Sequence, residues 1–416
     1  MTIRSRPTFR TVLVVLISSL GTLFMASSCN ARVATQVERE KLFSLSYGRF
    51  EDEIDLFRLD TSTTGPDTQI FMRDGMFYIS NSGSKKILQL TSFGDLLSVY
   101  YNPEDNPVPS YAVGREERDG LAGEATRKAT AYPFVHPVFL TVDAAKRLSV
   151  VDQIPPERYE YDNDEQVLLR DVVLRFGSDS RFMDYLGQEG PGGTPFPPVS
   201  GIFSNSRGET IVTARTQSGV RVFWFDADGN LLYRIPIQYR SLPSPFGGSE
   251  IVYSSLEKVV PDPESLKLYL KIDYYAEEID KDTGAAAGIA YNRSCLYPFD
   301  IQTGSYDDKI DLPSFEGVDK DGQGTITFRK PYEFLGITSS GWAFLLSPDK
   351  AGYALEILDV RSRRIHKRIL SVSQDELAYN ALMLSPDGII SALLATPWNA
   401  SIVWWRTDSL IGEIRR

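Results

Sequence analysis

His136-Pro137-Val138-Phe139-Leu140-Thr141-Val142-Asp143, followed three residues later by Arg147-Leu148-Ser149-Val150-Val151-Asp152, decides the fold. Two short runs rich in β-branched and apolar residues flank a turn that opens on Asp143, the pattern of an antiparallel strand pair. A third apolar run at 167–176, a turn at 177–180 and a fourth run at 181–186 complete a four-strand unit. Working outward, the same unit recurs at 70–100, 200–237, 256–312, 333–372 and 382–414, the last ending in a strand at 410–414. No long helical periodicity interrupts the series after residue 60. One four-stranded sheet cannot bury both of its faces, whereas a ring of them can. The expected fold is therefore all-β, a β-propeller of about six four-stranded antiparallel blades.

The quoted stretch resembles the NHL type of propeller repeat, with its Pro-x-x-Ile-x-Val-Asp and Leu-x-Val-x-Asp pair. Gly187-Gln188-Glu189-Gly190, Phe196, Pro198 and Gly201-Ile202 resemble the glycine-rich link into the following repeat. The resemblance covers roughly residues 133–214; the other units keep the hairpins without the signature.

The first residues are an address. Arg4, Arg6 and Arg10 precede the apolar run 11–24, and Met25-Ala26-Ser27-Ser28 leads into Cys29. A basic start, an apolar centre and small residues at the cut describe a secretion signal. Cysteine directly after Ala-Ser-Ser resembles a bacterial lipobox, with Ala26 in the place of the usual leucine. The resemblance implies cleavage after residue 28 and a diacylglycerol on Cys29. An uncleaved anchor or a plain signal peptide would export the body equally. This gives a signal at 1–28, a lipidated tether at 29–41 and a propeller at 42–416, in which 42–58 closes the ring. Together with Lys41-Leu42-Phe43-Ser44-Leu45-Ser46-Tyr47-Gly48 and Glu51-Asp52-Glu53-Ile54-Asp55-Leu56-Phe57, the signal is similar to spirochaetal propeller lipoproteins. That implies a cell-envelope location, tethered to a membrane through Cys29 and facing periplasm or cell surface.

Net charge is −11, and the three arginines of the signal leave −14 on the rest. Such a body repels phosphate backbones, so nucleic acid is not expected as a partner. No cofactor is expected. His136 and His366 are the only histidines, too few for a histidine-based zinc site, and no motif supports a nucleophilic triad around either. Asp319, Asp321 and Gln323 begin like a calcium loop, but Lys330 stands where a bidentate glutamate belongs, so a glycine-rich loop entering a strand is expected and no metal is assigned. Cys295 reads as a small buried side chain.

Strand order puts the short turns on one face and the long connections on the other. The long ones are 101–135, 152–166, 238–254, 273–289 and 313–332. Their aromatic and acidic residues, Tyr111, Tyr132, Tyr159, Tyr161, Tyr274, Tyr275, Glu277 and Glu278, make that face the expected partner-binding surface. The functional expectation is a non-enzymatic binding or scaffold protein whose partner is an envelope protein or polymer. The alternative is a propeller hydrolase, lyase or sugar-binding protein working through the central channel.

Overall fold

The tight turns share one chemical design. Asn205, Asp226, Thr338 and Ser385 each open a five-residue turn in which the opening N–H donates to the carbonyl four residues on, at 2.9–3.2 Å. The opener's side-chain oxygen accepts backbone N–H groups inside the turn. Asn205 takes those of Arg207 and Glu209, Asp226 those of Asp228 and Asn230, and Ser385 that of Ile389. The fourth position is left-handed and is filled by Gly208, Gly229 and Gly388. This local chemistry, repeated, cuts the chain into strands of blade length.

A computed structural model describes residues 35–56, 68–112, 127–246, 252–279, 284–321 and 324–414. Its strands form six blades. Blade 1 holds Thr68–Arg73, Met76–Asn81, Lys86–Thr91 and Leu96–Tyr101, with Lys128–Ala131 added in parallel outside. Blade 2 holds Leu140–Val142, Leu148–Gln153, Asp171–Phe176 and Phe182–Gly187; blade 3 holds Val199–Ser204, Thr210–Arg215, Gly219–Phe225 and Leu231–Gln238. Blade 4 is built from Val252–Pro261, Lys267–Ile279 and Ala286–Asp300, with an outer strand in two pieces, Ser305–Tyr306 and Ile310–Leu312. Blade 5 holds Glu333–Ile337, Trp342–Asp349, Gly352–Asp359 and Ile365–Ser371.

Blade 6 takes Tyr379–Leu384, Ile390–Ala395 and Ala400–Trp405 from the C-terminal end and its outer strand from Arg39–Leu45. Arg39 lies opposite Trp405 and Leu45 opposite Ala400, so the two ends of the propeller are hydrogen-bonded together. The strand expected at 410–414 is instead part of the helix Thr407–Ile414. The outer edge of Ala400–Trp405 is already occupied by Arg39–Leu45, so no pairing partner remains there. Leu410, Ile411 and Ile414 turn one helical face onto the core between blades 5 and 6. A second correction concerns 167–176. Val167–Leu169 leaves the blade to pair with Glu160–Asp162, because Phe196 exchanges backbone bonds with Asp171 at the blade boundary.

Six apolar cores form, one between each pair of neighbouring blades. Aromatics fill them: Trp224 and Trp405 are fully buried, and Phe196 meets Phe223 edge-on at 5.0 Å. Polar caps tie two blades to the chain preceding them. The carboxylate of Asp152 accepts the N–H groups of Val135 and His136, and Asn81, at the equivalent register in blade 1, bonds both ways with the backbone of Asp55. The same register holds Ala214, Ile272 and Leu394 in blades 3, 4 and 6, which is why the repeat signature is confined to one part of the chain.

Candidate binding face and central channel

Within each blade the strands alternate, so connections from second to third strand and from fourth strand to the next blade share a face. Three of the long connections there are β-ribbons rather than loops. Glu160–Asp162 pairs with Val167–Leu169, and Ser314–Asp321 pairs with Gly324–Pro331. In blade 4 the strands Lys267–Ile279 and Ala286–Asp300 run on past the sheet as a long hairpin, with Val252 alongside Ala276. The sequence supports this locally: Tyr-, Ile- and Thr-rich stretches favour extended backbone. The blade 2 ribbon leans on blade 3, where Arg221 and Ser218 both donate to the carboxylate of Glu165.

Most of the large apolar side chains exposed among the described residues stand on this face. Ile279 and Ile289 flank the blade 4 hairpin, Val318 and Phe328 the 314–331 ribbon, and Tyr161 and Leu168 the blade 2 ribbon. Trp398, 85 % exposed, tips the turn between the second and third strands of blade 6. Phe50, 62 % exposed, lies in the connection beside it, where Tyr47 donates to the carbonyl of Thr396. Elsewhere Phe93 sits on a short turn, and Phe182, Met183 and Leu232 line outer strands.

The residues named from sequence fall into two groups. Tyr161, Glu277 and Glu278 are exposed on ribbons, and Tyr275 is half-buried against Tyr291, edge to face at 6.0 Å. Tyr111 is half-buried, donating to the carbonyl of Lys128 beneath Arg127. The others turn inward. Tyr274 is buried and donates to the carbonyl of Pro243 at 2.5 Å. Tyr132 joins Phe134, Phe176 and Phe182 in an aromatic cluster, and Tyr159 packs on the same core while donating to Gln153 at 3.3 Å. Alternation explains Tyr274: it follows Leu268, Leu270 and Ile272 on the core-facing side of its strand. Asp319 and Asp321 lie in a ladder, opposite Ile326 and Gly324; Gln323 and Cys29 lie outside the described residues. The exposed Ile279, Ile289, Val318, Phe328 and Trp398 were missed by the sequence reading. A tryptophan in the Pro397-Trp398-Asn399 turn was the available signal.

The central channel is lined by the innermost strands of the six blades. Phe71, Ile202, Phe203, Val260, Leu335 and Leu384 converge from blades 1, 3, 4, 5 and 6, leaving a cavity of about 100 Å³. The acid on its wall, Asp262, accepts the N–H groups of Glu264 and Ser265 within its own turn. The densest charged cluster lies on the side of blade 4 facing blade 5. There the Lys271 Nζ sits 2.8 Å from Asp273 and 3.4 Å from Glu257, and Asp273 also accepts the Ser294 hydroxyl. Glu257 is the extra residue of a β-bulge, and burial holds its carboxyl above the usual range. Lys271 and Asp273 are buried and satisfy one another, a structural arrangement. The Cys295 thiol is buried and pushed up to about 11 by that burial. Among the described residues no group of three His, Cys, Asp or Glu is placed to hold a metal ion.

The fold defines the class: a six-bladed β-propeller. No protein-family profile and no curated protein matches the chain. Among solved structures, an ulvan lyase from a polysaccharide lyase family is similar at 11 % identity and a TM-score of 0.40, over 88 % of this chain and 96 % of that one. A gluconolactonase from Xanthomonas campestris is similar at 12 % identity and TM-score 0.40, over 91 % and 100 % of the two chains. The hydrazine synthase of Kuenenia stuttgartiensis is similar at 12 % and 0.38, over 82 % and 96 %. These likenesses extend to the propeller architecture and carry nothing about chemistry.

Proposed function

We propose that this chain is an exported binding protein of the cell envelope, tethered by a lipid on Cys29, that holds a protein or envelope polymer on its ribbon-bearing face. The observation that carries the proposal is the placement of exposed apolar side chains, gathered on the ribbons and turns of one face. Apolar and aromatic groups at the tips of rigid β-ribbons are what a partner surface buries. The cavity ringed by Phe71, Ile202, Phe203, Val260, Leu335 and Leu384 is small and the acid on its wall, Asp262, is engaged in a turn, which lends less support to an enzyme or sugar-binding protein working at that end of the channel.

The test is chemical cross-linking in intact native cells, run on the wild type and on an Ile289→Asp, Val318→Asp variant. A stoichiometric partner joined through Lys320 or Lys350, and lost in the variant at unchanged melting temperature, is the expected result. Lysines linked only within the chain would overturn the reading and turn the search to small ligands. Mass spectrometry of the isolated protein tests the tether separately: an acylated Cys29 at the N-terminus is expected, and an unmodified one refutes it.

A further inference from the structure

Arg361-Ser362-Arg363-Arg364-Ile365-His366-Lys367-Arg368 puts five Arg and Lys into eight positions of a chain whose net charge is −11. The segment forms the turn between the third and fourth strands of blade 5 and the start of the outer strand Ile365–Ser371. Arg361, Arg363, Arg364 and Lys367 are exposed. Among the described residues, no side-chain ion pair or hydrogen bond engages the guanidinium of Arg361, Arg363 or Arg364. Lys367 reaches Glu356 at 3.0 Å with 66 % of its side chain still in solvent. The one acid of the turn, Asp359, is occupied by the N–H of Arg361 and the hydroxyl of Ser362. Asp359 and Glu356 offset only part of this charge, and a dense anionic surface relieves the repulsion that remains among the exposed guanidinium groups.

Under the tether proposed above, a bilayer would lie close to this cluster. The strand Thr35–Val37, the first described strand after Cys29 in the sequence, is the hydrogen-bonded neighbour of Ile365–Ser371. Five residues lie between Cys29 and Thr35, a reach of at most about 20 Å. We infer that the Arg361–Lys367 cluster docks on the anionic phospholipid headgroups of the bilayer that holds the Cys29 lipid. The inference rests on the tether proposed above and adds an orientation to it. A lipid alone leaves the body free to tumble, whereas a lipid and a basic patch make two attachment points. The cluster's turn lies on the same side of the ring as the other short turns, so docking there directs the ribbon-bearing face away from the lipid.

The test uses the protein isolated from its membrane, mixed with vesicles of phosphatidylcholine alone or with about one-third phosphatidylglycerol. Flotation and hydrogen exchange of the 359–371 segment are followed for the wild type and an Arg361→Gln, Arg363→Gln, Arg364→Gln variant. The expected result is flotation with both vesicles and protection of 359–371 only on the anionic ones. High salt should reverse that protection, and it should be absent in the variant, whose binding to anionic vesicles should weaken about a hundredfold, roughly fivefold per arginine. Flotation with both vesicles and equal exchange on each would overturn the docking while leaving the tether standing. Flotation with anionic vesicles alone would support the docking and sink the tether; flotation with neither sinks both. Equal protection on neutral vesicles by added nucleic acid or heparin would overturn the lipid assignment in favour of a general polyanion surface.

Discussion

Lys146 stands where most turns of its kind carry glycine. It occupies the left-handed fourth position of the Asp143 turn at φ 61°, with its side chain exposed, while Gly208 and Gly388 fill that place in blades 3 and 6. Lys146→Gly is therefore expected to stabilise the protein by about 0.5–1 kcal/mol, read as a rise in denaturation midpoint. Gly388→Ala goes the other way by about 1–3 kcal/mol, because φ is +98° there and an added Cβ meets Ile411 Cδ1 at 2.9 Å. Asp152 gives a pH signature. Burial pushes its carboxyl up to about 6 from an ordinary 3.8, although backbone N–H groups favour the charged form. The stability it contributes is fully present below about pH 4 and is lost as pH rises through about 6, on the order of 3 kcal/mol in all. Asp152→Asn keeps an acceptor for the N–H groups of Val135 and His136 and removes the titration. The variant should gain on the wild type between pH 4 and 7 in urea melts; parallel curves would refute the assignment.

At the scale of the element, the strand Arg39–Leu45 is the one whose loss matters most. Without it, Ala400–Trp405 becomes an open edge carrying Ile402, Val403 and Trp404, a template for pairing between molecules. Removing residues 30–58 should reduce soluble yield and produce concentration-dependent aggregation; unchanged solubility and melting would contradict this. The blades were legible because each turn states its chemistry in adjacent residues, such as the Asp228-Gly229 pair of the Asp226 turn. The pairing of 39–45 with 400–405 was only partly so. A propeller must close its ring, but nothing in 410–414 announces that its sheet position is already filled. The ribbons were hidden for another reason: a one-residue change of phase exchanges the two sides of a strand, whereas the inward turn of Tyr274 follows unbroken alternation from Leu268. The bulges at Lys41/Phe43 and Leu256/Lys258 leave no mark that composition reveals.

Taken whole, the molecule is a ring in which every blade shares a core with both neighbours. No blade can leave without opening two interfaces, so unfolding should be one cooperative event. Trp224 in blade 3 and Trp405 in blade 6 sit in different cores. Tryptophan fluorescence and far-ultraviolet circular dichroism should therefore melt together, and two separated transitions would show that arcs of the ring unfold alone. At this scale the two faces also acquire different characters, one of short polar turns and the other of apolar-tipped ribbons.

The closure strand has a mechanical consequence. A pull on the chain preceding Arg39 is delivered along the strand and not across it, since Arg39 is its first residue and the ladder to Ala400–Trp405 runs antiparallel beneath it. Its hydrogen bonds are then loaded together in shear instead of one after another like a zip. The neighbouring strand Thr35–Val37, laid on blade 5, takes the first part of that load. The ring is thus held shut by a joint whose strong direction is that of a pull on the chain before Arg39, the pull that drag would exert under the tether proposed above.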